Sequence, residues 1–205
     1  SGMGEQTART FARRGADVAV VDIDSDAAGE TVAAIRADTD AEAVAVTADV
    51  SAADDVAGVI NRTVEAFGAI DVLHNNAVIH QESTPVEDVT EATWDRIQDV
   101  NLKSAFLGAK YAVPRMREQG GGVILNTAST AGIRPRTGLS AYAASKGGMI
   151  TLTKQLAHEL ADDGIRVNAI CPVATNTEML PKFAGDDLSV EGMAETIPLG
   201  RLAEP

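Results

Sequence analysis

At 205 residues the chain is long enough for one domain with a sizeable core. Apolar residues make up 45% of it but aromatics only 3%, so the core must be built from Ala, Val, Ile and Leu. With 17 basic residues against 30 acidic ones and a formal net charge of -13, the surface repels phosphate backbones and anionic lipid, which argues against nucleic-acid and membrane partners.

Cys171 is the single cysteine, which rules out an intramolecular disulfide and a cysteine-based metal site. His74, His80 and His158 have no ligand spacing, and no metal is expected. No apolar run is long enough to span a bilayer and no signal peptide is visible, so the expected location is cytoplasmic.

In chain order, helical periodicity and short β-branched runs alternate. The spacing predicts a helix over 4–14, closed by Gly15, then a strand in "ADVAVVDI". A helix over 26–37, the strand "EAVAVTADV" and a helix over 52–67 follow, with Ser51 as the cap of the last and acidic residues in its first turn. Next come the strand "IDVLHNNA", a long helix over 90–118 that contains Trp94, and the strand "GGVILNTAS". A helix over 141–162, ended by Gly164, and the strand "IRVNAICPV" complete the series. Apolar strands separated by amphipathic helices indicate βαβ units and a parallel sheet covered on both faces. The expected fold is α/β: one doubly wound domain of the Rossmann type over 1–205, with ligands held at the carboxyl ends of the strands.

Gly2 and Gly4 stand before the first helix, and the strand after it ends in Asp22. Glycines there let backbone amides and a helix N-terminus approach a pyrophosphate. A carboxylate at the end of the next strand can accept both hydroxyls of an adenosine ribose. The same carboxylate repels a 2′-phosphate, and no basic residue adjoins Gly2, so the pattern favours NAD over NADP. No apolar strand precedes Ser1, where this fold needs its central strand, and "IPLGRLAEP" stops without a final one. The sequence is therefore expected to be the middle of a longer protein, lacking the first strand and the C-terminal one.

Tyr142 and Lys146 lie four apart in "SAYAASKGGM", on one helix face, and Ser129 lies thirteen residues before the tyrosine. An ammonium beside a phenol stabilises the phenolate, so the proton can move well below the free pKa of about 10. A hydroxyl from a separate segment can hold the oxygen on which that proton lands. Phenol, cation and second donor together suit the interconversion of an alcohol and a carbonyl.

With these residues the whole chain resembles the short-chain dehydrogenase/reductase family. The end of the family's glycine motif survives as Gly2-Met3-Gly4, and its aspartate before a hydrophobic residue matches Asp49-Val50. Asn-Asn-Ala-Gly appears as Asn75-Asn76-Ala77-Val78, the tetrad asparagine as Asn101, the serine as Ser129, and Tyr-x-x-x-Lys as Tyr142 and Lys146. Pro-Gly-x-x-x-Thr appears as Pro172-Val173-Ala174-Thr175-Asn176-Thr177.

The resemblance implies an NAD(H)-dependent alcohol dehydrogenase or ketone reductase similar to 3-oxoacyl-carrier-protein reductases and to sugar or cyclic-alcohol dehydrogenases. Tyr142 would be the acid/base and Ser129 the donor to the substrate oxygen. Lys146 would tune the phenol and bridge the nicotinamide ribose, and Asn101 would fix a relay water. Cofactor contacts would come from Gly2, Met3, Gly4, Asp22, Ile23, Asp49, Val50, Asn75, Ala77, Tyr142, Lys146, Pro172, Thr175 and Thr177. Gln81, Arg134, Met179 and Leu180 occupy the expected substrate rim; His80 could line its mouth, but reads more readily as an ordinary loop histidine.

Val78 and Val173 replace glycines of the family pattern, and valine is costly wherever φ is positive. A second reading is a catalytically inactive nucleotide-binding or interaction protein of the same fold. A third, an epimerase or dehydratase with bound NAD, calls for a larger C-terminal substrate domain. The helices over 90–118 and 141–162, with the Gly- and Ala-rich stretches "YAASKGGM" and "SAFLGAKYA", are the surfaces on which the family forms homodimers and homotetramers.

Overall fold

The computed structural model describes residues 2–183 and 189–205. The alternation in the sequence becomes five strands, β1 Val18–Asp22, β2 Ala43–Thr47, β3 Val72–Asn75, β4 Gly122–Thr127 and β5 Ile165–Ile170. They pair in parallel as two sheets, β1-β2 and β3-β4-β5, in registers such as Val18↔Ala43, Val72↔Val123 and Gly122↔Ile165. The helices are α1 Gly2–Arg13, α2 Ser25–Asp38, α3 Ala53–Phe67, α4 Glu91–Gln98, α5 Ser104–Gln119, α6 Ser140–Glu159 and α7 Val190–Glu195.

Two main cores follow from the two sheets. Ala12, Val32, Ile35 and Ala43 knit α1 and α2 onto β1-β2. Ile60, Ala112, Met116, Ile124, Leu160 and Ile165 pack α3, α5 and α6 against β3-β4-β5. Each fully buried Ile or Met there contributes about 1.5–3 kcal/mol through apolar area removed from water. A third cluster, Ala105, Ala128 and Met149, seats α6 beside the end of β4.

Several boundaries differ from the sequence expectation. The long helix over 90–118 is two helices joined by a π-turn at Asp99–Lys103, which carries the fully buried Asn101. A π-turn inserts an extra residue, and such insertions recur at functional sites. Ser51 does not cap α3: Ala52 stands at the cap, and the Ser51 hydroxyl donates to Asp49 Oδ1 at 2.6 Å. α6 ends at Glu159, and Gly164 (φ 69°) instead closes a 3-10 turn over Ala161–Asp163. Gly15, with φ 87°, follows α1 as expected.

Within the glycine-rich stretches, Gly108 and Gly148 are used for packing inside the subunit. A Cβ on Gly148 would come within 2.7 Å of Leu102, and one on Gly108 within 2.6 Å of Asn75 Oδ1. Among the described residues no non-glycine has positive φ, so Val78 and Val173 carry no left-handed strain.

Candidate active site

β4 ends at Thr127 and the chain turns at once into a short 3-10 turn, Thr130–Gly132. Ser129 stands before that turn in extended conformation, its Oγ accepting from Ala131 N at 3.1 Å. Thr130 ties the segment to the chain after β5: its amide and hydroxyl both donate to Pro172 O, at 3.1 and 3.2 Å. The turn then lies directly against α6. A Cβ on Gly132 would sit 2.7 Å from the Gly147 nitrogen and the Lys146 carbonyl carbon, so only glycine permits this approach. It sets Ser129 beside the Tyr142 side chain.

Tyr142 occupies the first turn of α6 and is half-buried. Gln81, 2% exposed, accepts from the Tyr142 backbone amide through Oε1 at 2.9 Å, satisfying an otherwise unpaired N–H at the helix start. Burial pushes the phenol above its usual value, while the nearby Ser129 hydroxyl acts in the opposite direction. One turn later Lys146, 1% exposed, extends beneath the phenol and donates from Nζ to Thr127 O at 2.7 Å. Its Nζ lies 5.9 Å from the Tyr142 ring centroid. Burial lowers the Lys146 pKa to about 8, with Cys171 acting against the shift. The ammonium is therefore bonded to a strand carbonyl, and desolvation outweighs any effect it has on the phenol.

Asn101 reaches the site from the π-turn. Its Oδ1 accepts from Ile79 N at 2.8 Å and its Nδ2 donates to Ile79 O at 3.0 Å, with Ser145 Oγ at 3.4 Å. This side chain braces the segment after β3.

The two asparagines after β3 divide their work. Asn75 donates to Asn126 Oδ1 at 2.8 Å, and Asn126 in turn donates to Thr153 Oγ1 at 2.9 Å, on the side covered by α5 and α6. Asn76 points the other way: its Nδ2 lies 2.7 Å from where a Gly4 Cβ would be. Its Oδ1 accepts from Thr127 Oγ1 at 3.2 Å, and Thr127 Oγ1 also meets His74 Nε2 at 2.9 Å. Because Thr127 gives its proton to Asn76, it accepts from His74. Burial lowers the His74 pKa, in keeping with a neutral ring. The sequence motif assigns the cofactor contact to Asn75, but that side chain is engaged with Asn126 and α5, and Asn76 is the one beside the glycine loop.

Gly2 (φ 58°) opens α1, and a Cβ there would stand 3.3 Å from Thr177 Cγ2. The bare backbone of Gly2-Met3-Gly4 thus lies between Asn76 and Thr177 at a helix N-terminus, a cradle that side chains would fill. Thr175 is buried, its hydroxyl bonded to Val173 O at 2.9 Å.

Asp22 ends β1 with Oδ1 accepting from Asp24 N at 3.1 Å, and the neighbouring Ile23 is exposed. Asp49 follows β2. Hydrogen bonds from the Ser51 hydroxyl and amide hold its carboxyl below the usual range, helped by Arg96, whose Nη1 lies 3.3 Å from Oδ2. Val50 is half-buried and Ala77 exposed at the same end of their strands. Of the expected substrate rim, Leu180 and Gln81 are buried, His80 and Met179 half-buried, and Arg134 exposed. Phe183, which the sequence did not single out, packs edge-on against Tyr142 at 5.1 Å between centroids.

A family model described as enoyl-(acyl carrier protein) reductase matches residues 1–205. The chain belongs to the short-chain dehydrogenase/reductase family. Among family members, levodione reductase of Leifsonia aquatica is 41% identical, over 88% of this chain and 68% of its own. Cyclohexanol dehydrogenase of Acinetobacter sp. (strain SE19) is 37% identical over 100% of this chain and 79% of its own length. The crystal structure of the 3-ketoacyl-(acyl-carrier-protein) reductase from Brucella melitensis complexed with NADH superposes with a TM-score of 0.92. It is 39% identical and is matched over 100% of this chain and 82% of its own. The doubly wound α/β fold of the short-chain dehydrogenases is therefore the fold of this chain. Among the described residues, no helix is long and apolar enough to cross a membrane.

Proposed function

We propose that this protein is an NAD(H)-dependent oxidoreductase that interconverts a secondary alcohol and a ketone, with Tyr142 as general acid/base. The convergence of the Tyr142 phenol, the Ser129 hydroxyl and the buried Lys146 ammonium carries this reading. The residues fit a nicotinamide dinucleotide: a glycine cradle at a helix N-terminus, a carboxylate at the tip of β1, and a line of strand ends running between them. Gly2, Met3 and Gly4 would hold the pyrophosphate and Asp22 the adenosine ribose. Ile23, Asp49 and Val50 would border the adenine. Asn76 and Ala77 would flank the chain's approach to the nicotinamide ribose, with Tyr142 and Lys146 on its hydroxyls and Pro172, Thr175 and Thr177 on the carboxamide. The similarity to a reductase solved with NADH supports the nicotinamide cofactor. Asp22, followed by Asp24 and Asp26, supports NAD over NADP by repelling a 2′-phosphate.

When bound, the nicotinamide supplies the hydride acceptor or donor. In the oxidising direction Tyr142 takes the hydroxyl proton of the substrate, and in the reducing direction it returns one. Ser129 donates to the substrate oxygen and orients it. Lys146, charged below its pKa of about 8, offsets the negative charge that develops on the phenol. Asn101 acts as a positioning residue by fixing Ile79 and the segment that leads to His80. By similarity to the family, the protein would act as a homodimer or homotetramer. No observation favours a catalytically silent relative of the same fold.

The test is a panel of secondary alcohols with NAD, followed at the absorbance band of NADH. Wild-type protein should turn over members of the panel. Tyr142→Phe should lose at least about 10³-fold in kcat while binding NADH as before, because only the transferable proton is gone. A phenylalanine variant with wild-type rates would refute the proposal.

A further inference from the structure

The chain has four phenylalanines in 205 residues, and one of them stands over the catalytic phenol. Phe183 lies 5.1 Å from the Tyr142 ring at an interplanar angle of 70°, and 6.0 Å from the His80 ring at 75°. Both contacts are edge-to-face, the arrangement in which ring quadrupoles attract.

The two outer rings come from separately fixed supports. Phe183 ends a 3-10 turn, Leu180–Phe183, anchored by the buried Leu180 side chain. That turn is closed by Leu180 N to Thr177 O and Lys182 N to Met179 O, both 3.0 Å. His80 follows Ile79, which Asn101 grips through both of its backbone polar groups. A substrate whose oxygen meets Tyr142 and Ser129 must lead its carbon substituents past this pair of rings.

Resting on the reading above, we propose that Phe183, with His80, is the specificity-determining wall of the site, and that it selects alcohols and ketones whose reacting carbon belongs to, or adjoins, a flat or cyclic hydrocarbon. The wall presents ring edges and faces to the substituent. A ring laid against them exchanges water for dispersion and quadrupolar contact at little entropic cost. A short open chain lacks the area to reach them. Among the described residues a charged chain finds no buried cation here, since Lys182 and Arg134 are exposed and the Lys146 ammonium is bonded to Thr127 O.

The experiment compares kcat/KM for cyclohexanol and for sec-butanol in wild type, Phe183→Ala, Phe183→Tyr and His80→Ala, with NADH affinity measured alongside by fluorescence. Wild type should favour cyclohexanol. Phe183→Ala should lower kcat/KM for cyclohexanol about tenfold, mainly through KM, while changing that for sec-butanol by less than about twofold. Phe183→Tyr keeps the ring and should restore the preference, and His80→Ala should reduce it by a smaller factor. NADH affinity should stay constant across the set, which separates loss of the wall from general damage. An unchanged ratio in Phe183→Ala, or a wild type that turns over sec-butanol alone, overturns the inference and leaves the oxidoreductase reading standing. Turnover of neither alcohol also overturns it, and the broader reading is then decided by the wider panel and by Tyr142→Phe.

Discussion

The two sheets hold polar groups in opposite ways. Around β3-β4-β5 the polar side chains of the candidate site are held inside and cross-linked between elements: Lys146 to Thr127, Asn101 to Ile79, and Asn75 to Asn126 to Thr153. Around β1-β2 the carboxylates lie near the surface, and their short hydrogen bonds are mostly local, Asp22 with Asp24 and Asp49 with Ser51. The ion pairs on that side, such as Arg9 with Asp38 at 2.6 Å, are solvent-screened and add little to stability. The difference follows the task each side is assigned. Proton transfer needs groups held out of water at fixed spacing, whereas recognition of a nucleotide's sugar needs a carboxylate at a strand tip. Damage to the first region should therefore be severe and spread into stability. Damage to the second should be mild and confined to cofactor choice.

Lys146→Met offers the largest break in this contrast, because activity and stability should move in opposite directions. Turnover should fall by about 10²- to 10⁴-fold, the usual scale for a group assisting proton transfer. Stability at neutral pH should rise, since a buried, desolvated ammonium is replaced by a side chain of similar shape. The pH dependence supplies the signature. Folding lowers the Lys146 pKa from 10.5 to about 8, so between those values the unfolded chain binds more protons and wild-type stability rises with pH. The gain over the whole window is about 3 kcal/mol. Tyr142, held above its ordinary 10.0, works the other way at the alkaline end, where the folded chain retains the phenolic proton and stability falls. Urea unfolding between pH 8 and about pH 10 should show the rise in wild type and lose it in Lys146→Met. A flat wild-type curve would mean that Lys146 is not buried as a charge.

Asn101→Ala comes next. It strands the amide and carbonyl of half-buried Ile79, and should destabilise the fold by about 1–2 kcal/mol. If Asn101 only fills space, kcat should hardly change once the protein is folded. If it positions the segment that carries His80, KM for substrate should rise while NADH affinity holds. Asn101→Asp keeps the acceptor for Ile79 N and should recover part of the KM effect.

Features set by local spacing could be read directly from the sequence. Tyr142 and Lys146 share a helix face because helices repeat every 3.6 residues, and Gly2 and Gly4 stand in the first turn of α1, where a Cβ would meet Thr177 and Asn76 respectively. Features set by contacts between distant segments could not. Nothing near Asn101 signals a π-turn, and the division of Asn75 from Asn76 depends on where β3 ends against α1 and α5. The partner of Lys146 was also hidden, since it is the backbone carbonyl of Thr127, a group every residue carries. Phe183 lies far in sequence from both rings it touches, and its type alone reads as ordinary core. Ser51 misled for a related reason: a serine before a helix signals a cap, but the side chain of Asp49, two residues earlier, claims the hydroxyl.

The mildest effect is expected at Asp22, where the other side of the contrast is tested. Asp22→Asn keeps an oxygen to accept from Asp24 N, so the turn after β1 should survive and stability should move by less than about 0.5 kcal/mol. What changes is charge. Without the carboxylate, a 2′-phosphate meets one fewer anion, and KM for NADP should fall by about tenfold while KM for NAD rises by a few-fold as the ribose loses a charged acceptor. Asp24 and Asp26 remain nearby and limit the gain, so the preference should narrow without inverting. The kcat with saturating NAD should stay constant, because the adenosine end is far from the reacting carbon and contributes equally to ground and transition states. If kcat falls with KM unchanged, the carboxylate at β1 is coupled to the chemistry, and the two regions do not separate their tasks.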